Sequence, residues 1–403
     1  MLTYEEARRR VIEQVEKGAG APRVERVRIL HALGRVLAQE VKTDRAYPPF
    51  DRSTRDGYAV RAEEAGPGAT LRCVGEIKAG DAVRSVLEPG TCVQIMTGAA
   101  VPCGGDAVVM IEFTKREGDA VRFERPARAG QNIVPRGSEG AAGQTVLNPG
   151  MRMGYAEMAL AAQVGAADLQ CFAKPRVAIL STGDEVVDIG ETPGEFQIRN
   201  SNSVSLAAQA RLAGAEPVLL GNAADRTEEL QAKISEGLKA DVLVLSGGVS
   251  MGKYDLVEAV LKALGAEFYF DAVAMRPGKP AVFGRCGETF VFGLPGNPVS
   301  TIVTFELFAT AAIDLLSGTS ARPLPLVRAR LSQTLDEKPG LAHFLPARVE
   351  GRGAEMRAAP LKWQSSGDLG ALAWANGFIV VPPEKHRIEA GADVEVLLRR
   401  DLL

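Results

Sequence analysis

Val11, Ile12 and Val15 lie on one side of a charged stretch running from Tyr4 to Lys17, the spacing of an amphipathic helix. Residues 18–22, rich in glycine and closed by Pro22, end it, and a second helical piece is expected at about Leu30 to Val36. The pattern then changes. From Ala59 to about Val146, short apolar runs at 72–75, 92–96, 107–111 and 121–123 are punctuated by glycine and proline, which predicts a small β domain. An alanine-rich helix is expected from Met153 to about Val164, stopped by Gly165.

Beyond Lys174-Pro175, strands and helices alternate. Strands are expected at 177–180, 218–220 and 242–245, and helices at 203–213, from 225 to about 238, and at 256–264. That alternation predicts a right-handed parallel α/β sheet, whose ligands bind beyond the carboxyl ends of the strands. A hairpin at 281–286 and 289–292 follows, then a helix from about Val299 to Leu316 with Asn297 as N-cap and Pro298 at its first position. After Pro323-Leu-Pro325 the chain reads as β again, at 326–331, 344–349, 378–381 and 394–398.

A chain of 403 residues divides into two to four domains. The formal net charge of −3, without a basic block, gives no support to a nucleic-acid or membrane-surface role. No apolar run reads as long enough to span a bilayer, and no leader-type apolar stretch opens the chain. Five scattered cysteines without a C-x-x-C point to a reducing cytoplasm rather than a disulfide framework or a zinc site. Only His31, His343 and His386 occur, none beside a nucleophile, so each reads as a surface or core residue. The remaining tools are carboxylates, Lys/Arg, hydroxyls and backbone N–H groups, a set suited to magnesium and to phosphate or oxyanion ligands.

Two loops stand at the expected strand ends: Ser181-Thr182-Gly183-Asp184-Glu185 and Ser246-Gly247-Gly248-Val249-Ser250. They should share one cleft. Strand, glycine loop and helix is an arrangement that accepts anions, although neither a P-loop nor a Rossmann fingerprint is present. Asp225 with Glu228, and Asp255 with Glu258, have capping-box spacing, so each Asp reads first as a cap. Glu185 has no capping role. Met275-Arg276-Pro277-Gly278-Lys279-Pro280 is either a solvated basic turn or a rigid cationic clamp on an oxyanion. Residues 51–60, with Asp56-Gly57, read either as a loop entering a strand, which spacing alone favours, or as a cluster of Asp51, Ser53, Arg55 and Asp56 positioning a hydroxyl-rich or metal-bound ligand; the loop after Met96-Thr97 is either a plain turn or an oxyanion cradle.

Taken in order, these motifs resemble one family: the molybdopterin molybdenumtransferases, or molybdenum insertases, related to the E domain of gephyrin. The matching residues are 49–59, 94–99, Asn132 to Gly137, 181–185, Asn200-Ser-Asn202, 246–250 with Asp255, 277–280, Leu294-Pro295-Gly296-Asn297-Pro298-Val-Ser300 and Ala375-Asn-Gly377. They span nearly the whole chain. The resemblance implies an elongated linking domain (26–45 and 146–171), an inserted β domain (46–145), an α/β molybdopterin-binding domain (1–25 and 172–321) and a C-terminal β-barrel-like domain (322–403). It implies a homodimer whose active cleft combines the α/β domain of one subunit with the inserted domain of the other. It implies a reaction in which adenylylated molybdopterin and molybdate yield molybdenum cofactor, with Mg²⁺-dependent release of AMP.

Carried over by position, the family's functional acids fall on Asp56, Glu139, Glu185, Asp225 and Asp255, with Glu185, Asp225 and Asp255 on the metal. The hydroxyls fall on Thr97 and Ser366, the cations on Arg276 and Lys279, and two prolines on Pro295 and Pro298. Thr182, Gly183, Gly247 and Gly248 are expected to hold the pterin phosphate and pyrophosphate through backbone N–H groups, with Ser246 and Ser250 as further substrate-binding residues. Arg276, Lys279 and Ser366 are expected to bind molybdate. The pathway's adenylyltransferase is a further expected partner. This sequence departs from the family pattern at Arg55, where methionine is usual, and at Gly370-Ala371, where a serine is common. Two rivals remain. An adenylyltransferase would share the α/β domain but lack the inserted and C-terminal parts; a gephyrin-type scaffold would not need the acid and basic motifs.

Overall fold

The computed structural model describes residues 1–83, 86–248 and 256–402. Its centre is a six-stranded sheet in the order Glu216–Ala223, Arg176–Thr182, Val242–Ser246, Thr289–Leu294, Val282–Cys286, Glu267–Phe270. The first four strands are parallel, and the last two continue antiparallel. The sheet is therefore mixed, because the expected hairpin joins its edge rather than standing apart. Alternate residues of the central strands enter two different cores. Val177, Ile179, Val242 and Val244 pack on one side, and Ala178, Leu180, Leu243 and Leu245 on the other. Burial on both faces is why these strands read as continuous apolar runs.

Chain order reverses between Arg176–Thr182 and Val242–Ser246, which lie side by side with Ser181 opposite Ser246. Their successors in sequence diverge to opposite sides, and this opens a crevice at the carboxyl ends. The helix Ser201–Ala213 is capped by Asn200, whose side chain accepts the Ser203 N–H at 3.0 Å, and ends at Gly214 in the left-handed region.

Helix Tyr4–Gly18 lays Tyr4, Ala7, Val11 and Val15 into the same core as the sheet. Thr3 and Glu6 close a reciprocal capping box at its start. The helix from Pro298 runs through Thr304, a π-turn at Phe305–Ala309 and a last segment Thr310–Leu316. By length and composition it is able to cross a bilayer, which corrects the expectation that no run is long enough, but most of it is buried within this fold.

The other parts follow the expected pattern with local exceptions. Two segments distant in sequence, Val24–Arg28 and Asp168–Phe172, pair antiparallel. Between them lies a curled six-stranded sheet, in the order Ala107–Met110, Gly57–Val60, Thr91–Ile95, Thr70–Ile77, Ala120–Phe123, Thr114–Glu117. The helix expected at Leu30–Val36 is only a 3₁₀ turn, Ile29–His31, because Gly34 takes φ +74° and Val36 forms a bridge to Arg152.

In the C-terminal part, Ala342–Glu350, Arg357–Pro360, Leu326–Leu331, Asp393–Leu398 and Gly377–Val381 close into a five-stranded barrel. The two-residue strand Met275–Arg276 adds to this barrel beside Ala342 and His343. The α/β part thus contributes a strand to its neighbour at Arg276, one of the proposed cations.

Candidate active site

Two adjoining basins occupy the crevice. The first, of about 630 Å³, is lined by Thr182, Gly183, Glu185, Asp225, Ser246, Gly247, Gly248 and Pro298, together with Ser181, Asn200 and Asn202. The second, of about 530 Å³, is lined by Arg276, Lys279, Ser300, Glu337, His343, Ser365 and Ser366. Pro280, Pro295 and Asn297 line both and form their common wall.

Hydroxyls and amides stitch the first basin together. Ser181 Oγ donates to Asn200 Oδ1 at 3.0 Å and lies 2.9 Å from Ser203 Oγ. Asn202 Nδ2 donates to Ser246 Oγ at 2.8 Å and to the Gly296 carbonyl at 2.7 Å, tying the helix start to two loops. These ties fix the loops before any ligand arrives. Two buried polar atoms that line the basin, Thr182 Oγ1 and Asn202 Oδ1, have no hydrogen-bond partner among the described residues.

Glycine is required at two points. At Gly183, with φ +130°, an added Cβ would stand 2.4 Å from Glu185 Oε2. At Gly248, with φ +61°, it would stand 2.6 Å from Thr182 Oγ1 and 2.8 Å from Val257 Cγ2. The expected anion cradle is smaller than its motif. The Gly247 N–H donates to the Leu294 carbonyl at 3.1 Å and the Gly183 N–H to the Ala223 carbonyl at 3.2 Å, so both are taken within the fold. The Gly248 N–H makes no such bond among the described residues.

The acids separate. Asp225 does not cap its helix, which begins at Thr227 with Arg226 at the N-cap position and no side-chain capping bond. That corrects the capping-box reading. Asp225 is exposed at the crevice edge, where partial loss of hydration, then the charges of Asp184 and Glu185, hold its carboxyl above its ordinary value. Asp255 and Ser250 lie outside the described residues.

Asp56 and Thr97 are exposed and line neither basin of their own chain. Asp56 Oδ1 accepts the Thr97 N–H at 2.6 Å, which holds its carboxyl below the usual range. Glu139 pairs with Arg52 at 2.9 Å and likewise lines neither basin.

On the cationic side, Arg276 and Lys279 share one basin with Ser366, whose carbonyl accepts the Val299 N–H at 2.9 Å. His343 is a core residue, 2% exposed, with Nδ1 2.8 Å from Glu337 Oε2 and Nε2 3.0 Å from the Lys338 carbonyl. Its place beside Arg276 follows from the barrel strand pairing, for which the sequence carries no local signal. Arg199, Asn202, Asn297, Glu337 and His343 are among the basin residues to which the motifs assign no role; Asn202 and Asn297 at least lie inside quoted motifs.

An α/β crevice floored by hydroxyls and glycines, joined to a basin holding Arg276 and Lys279 under a small barrel, has the chemistry to accept an anionic ligand. Comparison with known proteins gives the class a name. The MoeA N-terminal region (domain I and II) matches residues 2–165, a probable molybdopterin binding domain 178–314, and the MoeA C-terminal region (domain IV) 328–398. The molybdopterin molybdenumtransferase of Bacillus subtilis (strain 168) is 34% identical over 99% of this chain and 94% of its own. That of Nostoc sp. is 36% identical over 91% of this chain and 86% of its own. The crystal structure of a molybdopterin biosynthesis MoeA protein from Pyrococcus horikosii covers 99% of both chains, with a TM-score of 0.80 and 31% identity. The chain belongs to the molybdopterin molybdenumtransferase family, and it is a transferase of molybdenum cofactor biosynthesis.

Proposed function

We propose that this chain inserts molybdenum from molybdate into adenylylated molybdopterin and releases AMP in a Mg²⁺-dependent reaction. The observation that carries the reading is the pairing of basins: an acid- and hydroxyl-lined crevice shares a wall with one holding Arg276 and Lys279. The pterin phosphate and pyrophosphate fit the first, with the Gly248 N–H and the hydroxyls of Thr182 and Ser246 as donors. Molybdate, an oxyanion, fits the second, with Arg276, Lys279 and Ser366 as partners.

The donors available for Mg²⁺ are hard carboxylate oxygens, as that ion requires. Glu185 and Asp225 would hold it, with Asp184 close enough to raise the Asp225 carboxyl. No three metal-ligating side chains converge among the described residues. Asp255 is the further acid proposed for this set. Bound there, the ion would neutralise charge on the phosphates as AMP leaves. Arg276 and Lys279 hold the incoming oxyanion against the wall shared with the phosphate crevice, so that both reactants meet in one place.

Asp56 and Thr97, exposed and away from their own crevice, would reach the cleft of a second copy. The reading therefore includes a homodimer with shared active sites, working in the cytoplasm, where five free cysteines such as those present here persist. The adenylyltransferase that makes the substrate is a proposed partner in transfer.

The test uses the purified chain with adenylylated molybdopterin, molybdate and Mg²⁺, following AMP release and molybdenum incorporation. Asp56→Ala and Asp225→Ala should each abolish both. Mixing and re-equilibrating the two inactive variants should restore about a quarter of wild-type activity, because half the dimers are mixed and carry one intact cleft. Full activity in both single variants would sink the site assignment. No recovery on mixing would sink the shared cleft.

A further inference from the structure

We infer that the Asn297 side-chain carboxamide contacts the anionic substrate at the boundary of the two basins, donating through Nδ2 to a phosphate or oxyanion oxygen. This rests on the function proposed above.

Asparagine is among the best N-cap residues because its side-chain oxygen accepts the N–H of the second or third helical residue. Asn297 holds the N-cap position of the helix that begins at Pro298, yet its side chain makes no capping bond. The second-residue donor, Val299 N–H, goes instead to the Ser366 carbonyl at 2.9 Å. The carboxamide is exposed and has no partner among the described residues.

The backbone that carries it is fixed on every side. Pro295 and Pro298 flank it, the Gly296 carbonyl accepts from Asn202 at 2.7 Å, and the Asn297 carbonyl accepts from Thr301 at 3.0 Å. A side chain with no local work is thus presented by a rigid turn.

Its location completes the argument. Three residues line both basins, and the other two are prolines. Asn297 is the one side chain of the common wall able to hydrogen-bond. On one side stand Arg276 and Lys279, on the other Glu185 and Asp225. A neutral amide donates to an anion there without adding charge to either side. Aspartate has nearly the same shape and caps equally well, but it accepts only and carries negative charge.

The experiment compares Asn297→Asp, Asn297→Ala and, as a reference, Lys279→Ala in the full chain. It measures KM for molybdate, affinity for adenylylated molybdopterin, and Tm. Both Asn297 variants should keep the wild-type Tm. Each should weaken molybdate use or pterin binding by about tenfold, the size of one hydrogen bond to a charged group, with aspartate the worse. An effect confined to molybdate assigns the contact to the oxyanion, and one confined to the pterin assigns it to the phosphate. Wild-type kinetics in both Asn297 variants, with Lys279→Ala impaired, would overturn the inference alone. Wild-type kinetics in all three would overturn the reading of the cationic basin as well. A lowered Tm in Asn297→Ala with unchanged kinetics would mark the residue as structural and also refute the contact.

Discussion

Two acids of the proposed site are shifted in opposite directions, and the causes predict opposite behaviour with pH. Asp225, though exposed, is raised by partial desolvation and by its acidic neighbours Asp184 and Glu185. A carboxyl raised in the folded state weakens the fold at neutral pH, where it must be charged. That penalty shrinks as pH falls through the raised value and is gone below the unfolded value of about 4. Asp225→Asn should therefore raise Tm at pH 7 in the absence of divalent ions, and the gain should vanish towards pH 4, as scanning calorimetry would show. Mg²⁺ should raise the Tm of the wild type more than that of the variant. A variant melting below wild type at pH 7 would contradict the electrostatic picture.

Asp56 has the reverse sign. Its carboxyl is lowered by the Thr97 N–H, so what it contributes is present above the unfolded value and lost as pH falls through the folded one. At this scale the motifs told which residue types stood where. They did not tell which donors were free: the Gly183 and Gly247 N–H groups belong to the fold's own hydrogen bonds, and only neighbours from other strands reveal this.

At the scale of elements, the glycine loop after Val242–Ser246 depends on backbone space. Gly248 sits at φ +61° with Thr182 and Val257 within 3 Å of where a Cβ would lie. Gly248→Ala should cost at least about 1 kcal/mol from the left-handed conformation alone and displace Thr182. Denaturant unfolding should show the loss, and affinity for adenylylated molybdopterin should fall with it; retention of both would mean that the loop has another accessible conformation. The long elements were legible from their runs and stops: strand Val242–Ser246 as an apolar run, and helix Ser201–Ala213, expected from Ser203, by its end at Gly214. Short ones were not. Helix Leu369–Trp374, begun by Asp368 accepting the Ala371 N–H at 3.0 Å, has too few turns to show a period. Strand Met275–Arg276 precedes a proline and exists only because the barrel offers it an edge.

Across the whole molecule, buried charge joins parts distant in sequence. Asp314, with a side chain 1% exposed, bonds Arg152 at 3.0 Å and Arg322 at 2.7 Å. Arg152 also donates to the Gly34 carbonyl at 2.8 Å, and Arg8 reaches the Arg322 carbonyl at 2.6 Å. One acid thus links the elongated segment, the long buried helix and the chain leading to the barrel. Asp314→Ala leaves two half-buried guanidinium groups unpaired and should cost on the order of 3 kcal/mol. Equilibrium unfolding in urea would read this, and a change below about 0.5 kcal/mol would show that the network is fully replaced by water.

The sequence by itself determined the class of fold, the order of its parts and the family, because apolar period and motif order are properties of a linear chain. It also placed Thr182, Glu185, Ser246, Arg276, Lys279 and Ser366 among the candidates. Only the tertiary structure decided that these residues fall into two basins with Asn297 in their common wall. It also showed that Asp225 does not cap its helix and that Asp56 lines neither basin of its own chain. Those outcomes depend on which strands become neighbours and on which hydrogen-bonding groups the fold has already satisfied. Both are fixed by contacts between residues far apart in the chain, where local spacing carries no information.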